Sequence, residues 1–222
     1  MNYKIQISET VEELSEQFAQ LLIDKVNNSK DKFNIALSGG STPKNIFEYL
    51  VAHHHDTIEW HKVNFFWGDE RCVPPNDSES NYKMAYEAIL SRLQIPDSNI
   101  FRIRGENDPQ NEAKEYSEIV VKQLPQINNI PKFDLIMLGL GEDGHTASLF
   151  PNQKSLLESE KIYATAVHPE TGQKRITLTG RVINNALTIV FIVTGINKAK
   201  VVNEIINQKE NYKYYPASSI KS

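Results

Sequence analysis

The stretch "LIMLGLGEDGHTASLFP", residues 135–151, admits two readings that lead to different folds. Gly139, Gly141 and Gly144 spell G-x-G-x-x-G after an apolar run, the pattern of a dinucleotide-binding turn. Such a turn opens a full helix, whereas Pro151 disfavours helix at Phe150 and leaves room for little more than about one turn. Asp143 would repel a pyrophosphate, and the fingerprint normally opens its domain. The second reading accounts for every residue. The glycines turn the chain sharply off a buried strand, and His145 lands at the start of a short helix facing a cleft. A helix N-terminus favours the neutral imidazole, which can accept a proton near pH 7. Glu142 or Asp143 can hold the ring in one tautomer.

Outward from this loop, short apolar runs alternate with helical patterns. Strands are expected at 3–7 (YKIQI), 33–38 (FNIALS), 63–67 (VNFFW), 99–103 (NIFRI), 133–138 (FDLIML), 162–167 (IYATAV), 175–179 (RITLT) and 187–193 (LTIVFIV). Val11, Leu14, Phe18, Leu21, Leu22 and Val26 recur at helical spacing, as do Ile46, Phe47, Leu50 and Val51. Alternation of this kind predicts an α/β fold: a largely parallel, Rossmann-like sheet with helices on both faces. FNIALS, FDLIML and LTIVFIV are apolar on both faces and are expected in the middle of the sheet. No repeat or linker divides the chain, so residues 1–222 read as a single domain.

Composition narrows the function. The chain of 222 residues carries 24 basic and 28 acidic side chains, a net charge of −4, which gives no global attraction to nucleic acid or to an anionic membrane. Any anion site must therefore be local. The single cysteine, Cys72, excludes an intramolecular disulfide and a multi-cysteine zinc site. No apolar run approaches the roughly 20 residues of a membrane span, and the N-terminus lacks a signal-peptide pattern. The expectation is a soluble, cytoplasmic protein.

In open α/β sheets ligands bind at the carboxyl ends of the strands. After the strand at 33–38, Gly39 and Gly40 permit a tight turn, with Ser41 or Thr42 as helix cap and Pro43 in the first turn. Amides at such a helix start suit a phosphate. After the strand at 63–67 come Asp69, Glu70 and Arg71. Arg71 can grip an anion bidentately, and Asp69 can accept from sugar hydroxyls or orient another group. Arg175 begins the strand RITLT, and Lys198 opens the helix after VFIVTGINKAK, where an ammonium and a helix N-terminus can clasp one phosphate. His53, His54 and His55 with His61 read as surface residues, because adjacent helical residues point in different directions and no second cluster sits at metal spacing. His168, ahead of Pro169, suggests no role by itself, and Cys72 reads as a packing thiol.

ALSGGSTP, WGDERCVPPNDSESN, LGLGEDGHTASLFP, RITLT and VTGINKAKVV occur in the order seen in the 6-phosphogluconolactonases, a family similar in fold to the glucosamine-6-phosphate deaminases. The resemblance spans essentially the whole chain. It implies hydrolysis of 6-phospho-D-glucono-1,5-lactone to 6-phosphogluconate in the oxidative pentose phosphate pathway, with no metal and no organic cofactor. By position, His145 resembles the general base, with Asp143 and Asp69 in the catalytic set. Gly39, Gly40 and Thr42 resemble the phosphate-side loop, with Arg71, Arg175 and Lys198 as its cationic partners. The implied partner is a small sugar-phosphate lactone, taken by a monomer or small homo-oligomer. PASSIK (216–221) resembles a late loop near the site, after which family members usually run on into an apolar tail, so the chain is expected to be short there. Two rivals are an amino-sugar-phosphate deaminase or isomerase and a non-catalytic sugar-phosphate sensor. Deaminases carry polar and acidic residues where ASLFP follows D-G-H here and lack the arginine of DER. A sensor has no need of His145 on a sharp turn, and no helix-turn-helix precedes YKIQI.

Overall fold

The computed structural model describes residues 3–221. Its helices are α1 (Val11–Asn27), α2 (Ser41–His54), α3 (Asn81–Ala88), α4 (Pro109–Gln123), α5 (Gly180–Ile183) and α6 (Ala199–Ile206). Its strands are β1 (Phe33–Leu37), β2 (Val63–Trp67), β3 (Asp69–Arg71), β4 (Gln126–Ile127), β5 (Ile130–Pro131), β6 (Leu135–Leu138), β7 (Tyr163–Val167), β8 (Lys174–Leu178) and β9 (Ile189–Phe191). The helix starts follow from local chemistry. Thr10 accepts from the Glu13 amide at 3.1 Å, Ser80 from the Lys83 amide at 3.1 Å, and Asp108 from the Asn111 amide at 3.1 Å with Pro109 behind it.

The expected parallel sheet is present in the order β2-β1-β6-β9, flanked by helices. β1, β2 and β6 are buried along their whole length, as their double-sided apolar pattern requires. One hydrophobic cluster, with Ile35, Leu37, Phe66, Leu135 and Met137 at the sheet and Phe18, Phe47 and Tyr116 from the helices, runs on to Ile176 and Leu178. A separate antiparallel sheet, β3-β8-β7, takes RITLT and IYATAV, so these two runs do not extend the parallel sheet. The chain passes from one sheet to the other at Gly68, whose amide donates to Leu37 O at 2.8 Å while its carbonyl accepts from the Leu178 amide at 2.8 Å. Tyr163 donates to Trp67 O at 2.8 Å and reinforces the junction. The end of β2 is therefore fixed from both sheets, and Asp69, Glu70 and Arg71 start from a rigid point.

Three expected strands are corrected. Residues 3–7 form no strand: Tyr3, Ile5 and Ile7 are 49, 52 and 87% exposed, because an alternating pattern makes a strand only where a ladder partner exists. At 99–103 the chain leaves a 3-10 turn, Asp97–Asn99, and makes a single parallel bridge from Ile100 to Phe65. LTIVFIV contributes only Ile189–Phe191, at the end of the strand order rather than in its middle. A run's hydrophobicity reports the burial of its two faces, not its place among the strands. No helix among the described residues is long and apolar enough to cross a membrane.

Candidate active site

Four loops leave the carboxyl ends of β1, β2, β6 and β9. The loop after β6 carries His145. The Gly144 backbone is left-handed, at φ 78°, and a Cβ there would run into the ring of Tyr215. The Gly141 amide donates to His145 O at 2.9 Å, and the imidazole packs over the Gly141 Cα. The expected short helix after His145 is absent. Thr146 and Leu149 form a bridge instead, Ala147 turns at φ 48°, and helical backbone begins only at Pro151, in the 3-10 stretch Pro151–Leu157. The turn is fixed by side chains: Thr146 donates to Gly139 O at 2.9 Å, and the Ser148 amide donates to Thr177 Oγ1 at 3.1 Å.

Of the two carboxylates offered to His145, Asp143 is the one that meets it. Asp143 Oδ1 lies 2.6 Å from Nδ1 of the ring and accepts the His145 amide at 3.1 Å. Partial burial raises the Asp143 carboxyl, but the ring and amide of His145 together hold it below the ordinary carboxylate range. Glu142 instead accepts from Asn197, tying the His145 loop to the loop before α6. With Nδ1 engaged by Asp143, Nε2 of a neutral ring is left to accept a proton.

Asp69 is buried, 6% exposed, and receives the Ser148 hydroxyl at 2.6 Å. It is thus placed to hold the His145 loop rather than to meet sugar hydroxyls. Glu70 is also buried and serves the chain: its oxygens accept the amides of Arg71, Asn81 and Tyr82 and the Ser80 hydroxyl, at 2.7–3.0 Å. Of the DER triplet this leaves the arginine. Arg71 faces Arg175 directly across the β3–β8 ladder. The Nε of each is buried without a partner among the described residues, and Arg175 Nη1 stands 4.0 Å from Asp69 Oδ2. Burial, and then the neighbouring Arg71, lowers the Arg175 guanidinium from its usual range. Two adjacent cations with unused donors make a site for an anion.

The β1 loop differs from expectation in its cap. Gly40, at φ 105°, is the N-cap of α2, and neither Ser41 nor Thr42 caps it. The Thr42 hydroxyl is instead 2.7 Å from that of Thr194, which joins this loop to the one bearing Lys198. Lys198 is itself the N-cap residue of α6. Asn81 closes the circle: its side chain fills the space a Cβ at Gly39 would need and donates to Asp69 O at 2.9 Å. Gly39, Gly40, Thr42, Asp69, Arg71, Asp143, His145, Arg175 and Lys198 thus all lie on loops or strands linked to one another, although Lys198 Nζ makes no hydrogen bond to the others among the described residues. Of the other histidines, His54 lies 2.8 Å from Glu16 and His55 2.8 Å from Asp56.

Sequence reasoning missed Ser148, Thr177 and Asn81. Ser148, three residues after His145, was visible as a hydroxyl in the key loop. Nothing in the sequence marks Thr177 or Asn81, whose contacts arise only from the meeting of two sheets.

A family model described as glucosamine-6-phosphate isomerases/6-phosphogluconolactonase matches residues 7–222. The 6-phosphogluconolactonase of Haemophilus influenzae is 44% identical over 85% of this chain and 80% of its own length. A crystal structure titled devB protein superposes with a TM-score of 0.93 at 39% identity, covering 98% of this chain and 91% of that one. A monomeric glucosamine-6-phosphate deaminase shares the fold alone, with a TM-score of 0.84 at 20% identity over 99% of this chain and 94% of that one.

Proposed function

Since this chain belongs to the family of glucosamine-6-phosphate isomerases and 6-phosphogluconolactonases, we propose that it opens a phosphorylated sugar lactone with His145 as general base. The enzyme is a carboxylic ester hydrolase, and its reaction is the hydrolysis of 6-phospho-D-glucono-1,5-lactone to 6-phosphogluconate. The observation that carries the residue roles is the 2.6 Å contact of His145 Nδ1 with Asp143, on a loop pinned through Ser148 to the strand that bears Arg71. Nε2 takes a proton from water as the oxygen attacks the lactone carbonyl. The tetrahedral intermediate then collapses, the bond from C1 to the ring oxygen breaks, and the proton passes from Nε2 to that oxygen. Acid–base help of this kind contributes about 10²–10⁴-fold.

Arg71, Arg175 and Lys198, with the amides of Gly39, Gly40 and the Thr42 hydroxyl, hold the phosphate and orient the ring. Fixed anchorage at that end turns binding energy into alignment of the carbonyl at His145. Asp69, filled by Ser148, is not free to act as the carboxylate base that an amino-sugar isomerisation needs at C2. The reading places the enzyme in the cytoplasm, as a monomer or small homo-oligomer.

The test is hydrolysis of freshly generated 6-phosphogluconolactone, coupled to 6-phosphogluconate dehydrogenase and corrected for spontaneous opening. His145→Ala is expected to lower kcat by at least about 10²-fold. A loss below tenfold would remove His145 from the role of base.

A further inference from the structure

We infer that His168 is a further substrate-binding residue, donating from Nε2 to the phosphate of the lactone at the outer end of the arginine row; this rests on the lactonase reading. The ladder of the second sheet puts it there. In an antiparallel pair, residues directly opposite share a face, and alternate residues along a strand return to that face. Asp69 faces Thr177 and Arg71 faces Arg175. Thr177 faces Ala164 and Arg175 faces Ala166. One step beyond the β7–β8 pairing, the His168 amide donates to Gln173 O at 2.9 Å. His168 and Gln173 therefore continue the face that carries Arg71 and Arg175. Gln173 Nε2 donates to Glu79 Oε2 and Arg71 Nη1 to the Glu79 backbone carbonyl, so both side chains meet the same residue.

The His145 loop lies over the same face. Ser148 touches Asp69 and Thr177, and two residues later Phe150 stands between the two histidines, its ring centroid 5.0 Å from that of His145 and 5.2 Å from that of His168. His168 is half-buried, not a solvated surface histidine.

The protonation pattern follows from the backbone. His168 Nδ1 accepts the amides of Glu170 and Thr171, each at 3.3 Å. A neutral ring so held carries its proton on Nε2, which makes no hydrogen bond among the described residues. The hairpin turn thus presents an N–H donor at the end of the face that carries the two guanidinium groups, whose Nε atoms are also unused among the described residues. Donors on a face with two cations suit a phosphate oxygen better than a hydroxyl.

His168→Asn separates the two jobs of the ring, because an Asn carbonyl can accept the turn amides while the outward donor is lost. The expected result is a KM for the phospholactone raised about tenfold, about the value of one charge-assisted hydrogen bond, with kcat within about threefold. On glucono-1,5-lactone, which has no phosphate, kcat/KM should equal that of the wild type. An unchanged KM, or the same loss on both lactones, would overturn the assignment. If the wild type turns over neither lactone, the lactonase reading fails by itself. Calorimetric titration with inorganic phosphate then decides: weaker binding by His168→Asn upholds the site, and equal binding removes it.

Discussion

The Ser148 hydroxyl and Asp69 Oδ2 lie 2.6 Å apart, both buried, and this contact joins the loop that carries His145 to the strand that carries Arg71. Asp69 has weaker company otherwise: Asn81 Nδ2 at 3.3 Å and Arg175 Nη1 at 4.0 Å. Ser148→Ala removes the shortest of these and leaves a buried carboxylate oxygen under-satisfied. The expected cost is about 1–3 kcal/mol, a fall of roughly 2–4 °C in melting temperature per kcal/mol for a chain of this size. Thermal unfolding of the variant measures it, and a midpoint within a degree of the wild type would mean that the contact holds nothing.

Asp143 offers a prediction with a sign. Its carboxyl is lower in the folded chain than in the unfolded one, because the ring and amide of His145 outweigh its desolvation. Stability from this group is thus fully present above the unfolded carboxylate pKa of about 3.9, and is lost as pH falls through the folded value. Asp143→Asn should lower the urea midpoint at pH 6, and its deficit relative to the wild type should shrink as pH falls below about 4. A deficit that persists undiminished in acid would show that the carboxylate charge is not its source. In activity, loss of the fixed tautomer should cost about 10–100-fold in kcat, less than His145→Ala.

Much of this arrangement was legible in the sequence, and what was not has a common cause. The three buried strands β1, β2 and β6 announce themselves by apolar runs, and Gly144 and His145 by a turn that a nucleotide cradle cannot use. The helix expected at His145 failed because the Ser148 amide and hydroxyl found partners across the chain, at Thr177 and Asp69, which no local pattern encodes. RITLT and IYATAV looked like strands and are strands, but a strand's sheet is set by its neighbours. In the DER triplet the sequence suggests roles for Asp69 and Arg71 and none for Glu70, whereas burial makes Asp69 a loop anchor and Glu70 a helix-start anchor and leaves the Arg71 Nε without a partner among the described residues.

Cys72 reads from the sequence as a packing thiol, and its surroundings leave that thiol unactivated. It lines a cleft of about 460 Å³ beside Val73, Gly105 and Lys174, yet burial, and then nearby Glu70, pushes its thiol up to about 11. The thiolate is the reactive species, so a shift of two from the ordinary 9.0 lowers its fraction at pH 7.5 about a hundredfold. Reaction with a disulfide reagent such as 5,5'-dithiobis(2-nitrobenzoate) should be slower than that of free cysteine, and its rate should go on rising with pH past 9. A rate at neutral pH equal to that of free cysteine would refute the buried, unactivated thiol.

Glu70 supplies the sharpest test of the division within the triplet. Oε1 accepts the Arg71 amide at 2.8 Å and the Asn81 amide at 2.7 Å, while Oε2 accepts the Tyr82 amide at 2.7 Å and the Ser80 hydroxyl at 3.0 Å. Both oxygens meet backbone N–H groups, so a glutamine amide cannot be turned to satisfy them all. Whichever way it faces, its NH₂ opposes at least one buried donor, at about 1–3 kcal/mol for each donor left unmet. The anchor fixes the backbone of Arg71 and the start of α3, whereas the His145 loop is held through Asp69 and Ser148. Glu70→Gln should therefore lower the melting temperature and raise KM for the phospholactone severalfold, with a smaller effect on kcat. Glu87→Gln makes the same change of charge at an exposed position of α3 and should alter neither quantity. If the two variants behave alike, Glu70 acts only as a charge. If Glu70→Gln loses kcat and leaves KM intact, the anchor serves the base rather than the arginine.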